Sequence, residues 1–406
     1  MLALLTYPIV TLVGPSSGGN PLDIVTLASV SFFAPAAVLS AVTPTVTKLR
    51  LQTLDETGAV VGRLSAIATA GAIFGTFVTG FVLVAAWPSR TITFIVGGAL
   101  ILAGIAAAAR AGVATVALVL GAVGFAALAT TTAVAAPSTC EYETAYYCIN
   151  VDVDPDRPSG RFLWLDTLRH SYVDLDDPTY LDFRYAQIFG AVLDSQLPDG
   201  PVNSLSIGGG GFTFPRYVEA THPGGTNTVL ELDRSVVDIA VTQLGLDRDS
   251  LDIRTGDARQ TLTETAPGSY DVVIGDAFGG RAVPWHLTTR EFAEDFSARL
   301  RPGGFYVLNL IDYPPLGFAR AETATLADVF AHVVLIAPPD YLASVRGGNF
   351  VLVASDSPLD LFALDAALRS RNSSSVILPD TDVARFIGDA DVLSDDFAPV
   401  DQLITS

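Results

Sequence analysis

The sequence predicts an α-helical multi-pass membrane domain followed by an α/β domain of the nucleotide-binding kind, entered through a small β-hairpin region. Three observations carry this. Charge is nearly absent from residues 1–136 and abundant beyond residue 150. The apolar strand Ser204-Leu205-Ser206-Ile207 runs into Gly208, Gly209, Gly210 and Gly211, and a strand ending in Glu231 and Asp233 follows about twenty residues later, the spacing of a βαβ nucleotide-binding unit. Past that unit, strand-like and helix-like segments alternate, which predicts a mainly parallel sheet covered on both faces.

In the first domain, residues 1–136, four segments approach the roughly 20 apolar residues that cross a bilayer: 24–46, 64–86, 91–109 and 112–136. Pro35 and Pro44 kink the first segment, and Gly and Ala in the others favour close helix packing. Residues 1–14 are too short and lack the basic flank of a signal peptide. Lys48, Arg50, Arg63 and Arg110 fall on one side and Arg90 on the other. The positive-inside rule then puts residue 136 outside, whereas a nucleoside ligand calls for the inside; both orientations stay open. The expected location is the cell membrane, with lipid as a partner.

Residues 137–160 are expected as a linker holding Cys140 and Cys148, the only cysteines. They suit a short-loop disulfide in an oxidising compartment, and without His neighbours they make a poor zinc site. The formal charge of -20 argues against nucleic acid, which needs clustered Lys and Arg. Lys48 is the sole lysine, a bias that fits either a salt-adapted surface or a GC-rich genome.

Residues 161–406 form the nucleoside-binding domain. Arg161 to Leu165 and the segment through Ser171-Tyr172-Val173 read as a hairpin, and Tyr180 to Asp194 has helical apolar spacing. Strands follow at 203–207, 228–232, 251–254, 271–275, 304–310, 331–336 and 349–354. Helices are expected at 213–221, 234–244, 258–265, 289–300, 318–328 and 358–371. Ligands of such sheets sit outside the carboxyl ends of the strands, which selects Gly208–Gly211, Glu231 with Asp233, Gly256-Asp257 and Gly275-Asp276. Asp233 and Asp257 also suit helix N-caps, and Thr288 with Glu291 has capping-box spacing. No pattern suggests a catalytic metal, a Walker loop or a serine nucleophile.

This order of motifs resembles the spermidine synthase family, aminopropyltransferases on a Rossmann-like, methyltransferase-type fold. His170 to Pro178, Asp276-Ala277-Phe278, Pro284 to Glu291, Asp395 to Val400 and the apolar stretch Val60 to Leu83 resemble more narrowly its membrane-fused subgroup. The resemblance implies that Glu231 holds the ribose hydroxyls of decarboxylated S-adenosylmethionine, or of S-adenosylmethionine itself, as co-substrate; the βαβ spacing adds the Gly208, Gly209, Gly210 turn and Asp233 as nucleoside contacts. It further implies that Asp257 takes the adenine amino group and that Asp276 is the base that deprotonates an amine acceptor. Tyr185 and His170 are the implied substrate contacts; His286, just before a helix start, is a further candidate to orient a substrate or shuttle a proton, or a structural residue beside the cap. A homodimer is an expected assembly.

The chain departs from the family pattern twice. Gly211-Phe212 stands where an Asp follows three glycines, and Ala277-Phe278-Gly279-Gly280 replaces a Ser/Thr-Asp-Pro stretch. Each lost carboxylate removes a charge-assisted hydrogen bond of about 1.5–3 kcal/mol to a cationic amine. Asp174, Asp176 and Asp177 could replace these contacts or form only a solvated turn. An S-adenosylmethionine-dependent methyltransferase and a non-catalytic nucleoside-binding sensor or transporter accessory are the alternative readings.

Overall fold

The computed structural model describes residues 21–51, 53–110, 124 and 140–404. The chain divides into two compact units, Met1–Cys148 and Ile149–Ser406. In the first, helices α1 (Pro21–Ser40), α2 (Val42–Arg50), α3 (Thr57–Val78, continued by a π-helical turn Thr79–Leu83) and α4 (Ser89–Arg110) are built from Ala, Val, Leu and Gly.

Two stretches, Ser31–Arg50 and Thr57–Leu83, are long and apolar enough to cross a membrane, where four were expected. The helix breaks at Ala41 inside the expected 24–46 span, because Pro44 has no N–H to donate one turn back. The third expected span, 91–109, holds the shorter apolar run Thr91–Ala107, and 112–136 lies outside the described residues. Ile67, Ile73, Phe74, Phe77 and Phe81 on the Thr57–Leu83 stretch are exposed. Cys140 and Cys148 are joined in a disulfide, with Cα atoms 5.1 Å apart.

In the second unit the expected hairpin is β2 (Gly160–Leu165) with β3 (Leu168–Asp174), closed by Asp166 in the left-handed region. Strand β1 (Cys148–Val153), within the expected linker, pairs antiparallel with β2 from Ile149 onward. Helix α5 (Arg184–Gln196) follows. The main sheet then builds through β4 (Ser204–Ile207), α6 (Thr213–Thr221), β5 (Asn227–Glu231), α7 (Arg234–Gln243), β6 (Asp252–Thr255), α8 (Ala258–Leu262), β7 (Tyr270–Gly275), α9 (Arg290–Ser297), β8 (Leu300–Asp312), α10 (Gly317–Val329), β9 (His332–Ala337), β10 (Gly348–Ser355), α11 (Leu361–Ser370) and β11 (Val376–Leu378).

The eight strands lie in the order β11-β9-β10-β8-β7-β4-β5-β6. From β6 to β8 every pairing is parallel. The expectation of a mainly parallel sheet holds there and fails at the other end. β10 inserts antiparallel between β8 and β9, and β11 pairs antiparallel with β9. The physical reason is the connection: β9 and β10 are joined by one short helical turn, Pro339–Leu342, too little chain for a parallel crossover.

Side chains alternate across the sheet and bury on both faces. Val272, Ile274, Phe305 and Val307 pack with Ile188 and Phe189 of α5 and Leu364 of α11. Val273, Tyr306, Leu308 and Leu310 pack with Phe292 and Phe296 of α9 and Phe318 of α10. Fully burying one such aromatic side chain stabilises by about 1.5–3 kcal/mol, so this two-faced core fixes where the strand tips, and thus the acidic residues, must stand.

Candidate active site

The carboxyl ends of β6, β5, β4 and β7 are adjacent. Glu231 pairs with Thr255, Ile207 with Leu230 and with Gly275. Their successors, Gly256-Asp257, Gly208 and Asp276, therefore leave the sheet at one edge. The Asp276 N–H still bonds the Ile207 carbonyl, and the Gly208 N–H bonds that of Leu230.

The glycine turn is needed for close approach. Gly208 has φ +92°, and a Cβ there would stand 2.6 Å from the Asp276 carbonyl oxygen. Gly210 has φ +50°, and a Cβ there would meet Ser171 Oγ at 2.9 Å and His170 Cε1 at 3.0 Å. Only glycine adopts such geometry at no steric cost.

Glu231 is buried behind this turn. Its Oε2 accepts from Gly209 N at 2.8 Å and Gly210 N at 3.2 Å, and its Oε1 accepts from Asp233 N at 2.9 Å. Burial raises its pKa while the three amide bonds oppose that rise. An ionised carboxylate has about four acceptor positions, so Oε1 keeps capacity for one more donor. Asp233 caps α7, accepting from Ser235 N at 2.8 Å, and its buried Oδ2 has no partner among the described residues.

Asp257 caps α8 by accepting from Gln260 N at 3.1 Å, and its Oδ2 lies 2.8 Å from His286 Nε2. Neither residue lines the cleft around Asp276, and neither do Gly208, Gly209, Gly210, Glu231 or Asp233. The cap of α9 is Thr289, whose Oγ1 accepts from Phe292 N at 3.3 Å, not Thr288, whose hydroxyl donates to the Trp285 carbonyl. Glu291 instead accepts from Asp395 N, and Arg259 grips Asp395 bidentately at 2.6 Å. The segments around His286 and Asp395 are thus stitched to each other.

Asp276, Tyr185 and His170 do converge. They line one cleft of about 700 Å³ with Phe278, Asn309, Tyr341 and Asn349. Asp276 Oδ1 accepts from Asn309 Nδ2 at 2.9 Å, and Oδ2 accepts from Tyr185 OH at 3.2 Å. Asn309 is held in turn by Asn349, which donates to its Oδ1 at 2.9 Å. Burial pushes the Asp276 carboxyl up to about 6, against the pull of the Asn309 and Tyr185 bonds. Burial first, and then the Asp276 charge, pushes the Tyr185 phenol well above its ordinary value.

His170 is lowered to about 4 by burial and is neutral at physiological pH. Its Nδ1 lies 3.0 Å from Ser171 Oγ, which accepts from Gly211 N at 3.1 Å. The Ser171 proton is thereby free for Nδ1. Of the Asp-rich segment, Asp174 is consumed structurally: it accepts from Arg157 and from the Asp176 and Asp177 amides. Asp177 closes a turn onto Thr179. None of Asp174, Asp176 and Asp177 lines the cleft around Asp276. Asn309 and Asn349 escaped sequence reasoning, although a polar residue in the apolar run Tyr306-Val307-Leu308-Asn309-Leu310 was a readable signal. Among the described residues no cluster of His, Cys, Asp and Glu could hold a metal ion.

Comparison with known proteins bears out the resemblance to the spermidine synthases. The chain is 31% identical over 142 residues to a polyamine aminopropyltransferase of Chromobacterium violaceum, covering 34% of this chain and 53% of that protein. It is 31% identical over 133 residues to a polyamine aminopropyltransferase of Vibrio vulnificus, covering 32% of this chain and 44% of that protein. The chain spans about half the length of these curated relatives. Among solved structures, a probable spermidine synthase from Corynebacterium glutamicum aligns with 29% identity and a TM-score of 0.59, covering 64% of this chain and 97% of that one. No family model matches.

Proposed function

We propose that the second unit binds decarboxylated S-adenosylmethionine and transfers its aminopropyl group to an amine, with Asp276 as the base. The observation that carries this is the Asp276 carboxylate, oriented by Asn309 and Tyr185 at the wall of a cleft and poised near 6. A base near the working pH is ionised enough to accept a proton and basic enough to hold it. Asp276 first accepts a hydrogen bond from the acceptor's ammonium group and takes its proton. The freed nitrogen lone pair attacks the methylene carbon beside the sulfonium. The new N–C bond forms as the C–S bond breaks, and its electron pair neutralises sulfur to give methylthioadenosine.

Glu231 would take a ribose hydroxyl on its remaining Oε1 position, beside the unpartnered Asp233 Oδ2, with the Gly208–Gly210 backbone against the nucleoside. Asp257 would take the adenine amino group by sharing or exchanging the oxygen that faces His286. The Thr57–Leu83 stretch supports a membrane-anchored enzyme, and with the narrower sequence resemblance it supports the membrane-fused subgroup. A methyltransferase reading is favoured by Phe278, which puts an aromatic face on the cleft where a second amine-binding carboxylate is expected.

Equilibrium binding to the full chain tests the proposal. Decarboxylated S-adenosylmethionine should bind more tightly than S-adenosylmethionine, and Glu231→Gln should weaken it at least tenfold. Tighter binding of S-adenosylmethionine favours the methyltransferase, and no binding of either defeats both.

A further inference from the structure

The cleft that exposes Asp276 holds cations as well as carboxylates. Arg169 on β3 and Arg184 at the start of α5 both line it, together with Asp182 and Asp276. The Arg169 guanidinium lies 4.7 Å from the Phe162 ring centroid and 5.0 Å from that of Phe183. Cation–π contact with two rings holds the guanidinium in place, and its N–H groups suit a planar anion. Among the described residues neither guanidinium makes an ion pair or a side-chain hydrogen bond. Asp182 feels Arg169 electrostatically, so Arg184 is the cation without a balancing partner in the cleft.

The remaining lining is neutral: His170, Tyr185, Gln187, Asn309, Tyr341 and Asn349. A diamine enters as a dication. One ammonium can sit at Asp276, and the second then meets Arg169, Arg184 and Asp182, a wall with a net positive charge. We infer that the acceptor is an amine that also carries a carboxylate, an amino acid in the broad sense, held by Arg184 and Arg169 while its ammonium group faces Asp276. This rests on the transfer reading above and names its acceptor class. The chemistry of transfer is unchanged, because only the attacking nitrogen forms and loses bonds.

The test uses the full chain with decarboxylated S-adenosylmethionine and matched acceptors: 4-aminobutanoate against 1,4-diaminobutane, and 3-aminopropanoate against 1,3-diaminopropane, with α-amino acids added. Methylthioadenosine release is measured. Each aminocarboxylate is expected to have a kcat/KM at least tenfold above its diamine, and Arg184→Gln or Arg169→Gln should collapse that ratio through the KM of the aminocarboxylate. A preference for diamines, or a ratio unmoved by both substitutions, overturns the inference. If no acceptor yields methylthioadenosine, the transfer reading has failed on its own. Thermal stabilisation by each amine alone then decides the ligand class of the cleft: stabilisation by aminocarboxylates that Arg184→Gln abolishes upholds recognition of an aminocarboxylate, and equal or absent stabilisation overturns it.

Discussion

Asp276→Asn separates the cost of the buried carboxylate from its use. The carboxyl is lifted from 3.8 to about 6. Each pH unit corresponds to 1.36 kcal/mol, so the ionised form costs the folded protein roughly 3 kcal/mol at neutral pH. The sign follows from proton binding. The folded state holds this proton more tightly than the unfolded chain, so the cost is absent below about pH 4, grows towards pH 6 and is complete above it. Asn is neutral and nearly isosteric: its oxygen can still accept from Asn309, and its NH2 can turn to the Tyr185 oxygen. The substitution should therefore raise the melting temperature at pH 7.5 by several degrees, at ~2–4 °C per kcal/mol for a domain of this size, and the gain should vanish at pH 4. Turnover should fall by about 10²–10⁴, the usual contribution of a general base. The assay is a melting curve of the full chain at both pH values beside methylthioadenosine release. Retained turnover, or a melting point that drops at pH 7.5, refutes the reasoning.

Other outcomes follow from the same contacts. Asn309→Ala removes a bond to the charged form of Asp276, worth about 1.5–3 kcal/mol; the acidic limb of the pH–rate profile, expected near 6, should move up by about one to two pH units, and an unmoved limb rules out the relay. Gly208→Ala forces a Cβ to 2.6 Å from the Asp276 carbonyl oxygen at φ +92°, so the melting temperature and donor binding should both fall, with a strain cost of order 1–3 kcal/mol. Asp395→Asn weakens a half-exposed bidentate pair with Arg259, which should cost at most about 1 kcal/mol and leave donor affinity alone; a large loss of affinity would mean that this segment reaches the ligand.

Much of the α/β unit was legible because its signals are local. The glycine turn, the strand-end acids and the Asp233 and Asp257 caps are written in neighbouring residues, and their elements stand within a few positions of the expected ranges. What escaped depends on residues far apart in the chain. The insertion of β10 between β8 and β9 is decided by sheet pairing, with only the lack of a sequence-expected helix between 337 and 348 as a hint. The Tyr185–Asp276–Asn309–Asn349 relay joins residues from α5, the tip of β7, β8 and β10. Likewise, His286 turns to Asp257 instead of the cleft because the 285–291 segment is tied to residue 395. In the first unit, composition identified the apolar stretches, but the interruption at Ala41, one turn before Pro44, is a backbone feature that hydropathy alone does not register.

The central claim is that this cleft cleaves the aminopropyl arm, not the methyl group, from a sulfonium nucleoside. The nucleoside released by the full chain decides it most directly, with an amine or amino acid acceptor present and each sulfonium supplied separately. Methylthioadenosine from decarboxylated S-adenosylmethionine, abolished by Asp276→Asn, is the expected product. S-adenosylhomocysteine from S-adenosylmethionine, or no nucleoside product from either donor, contradicts the account.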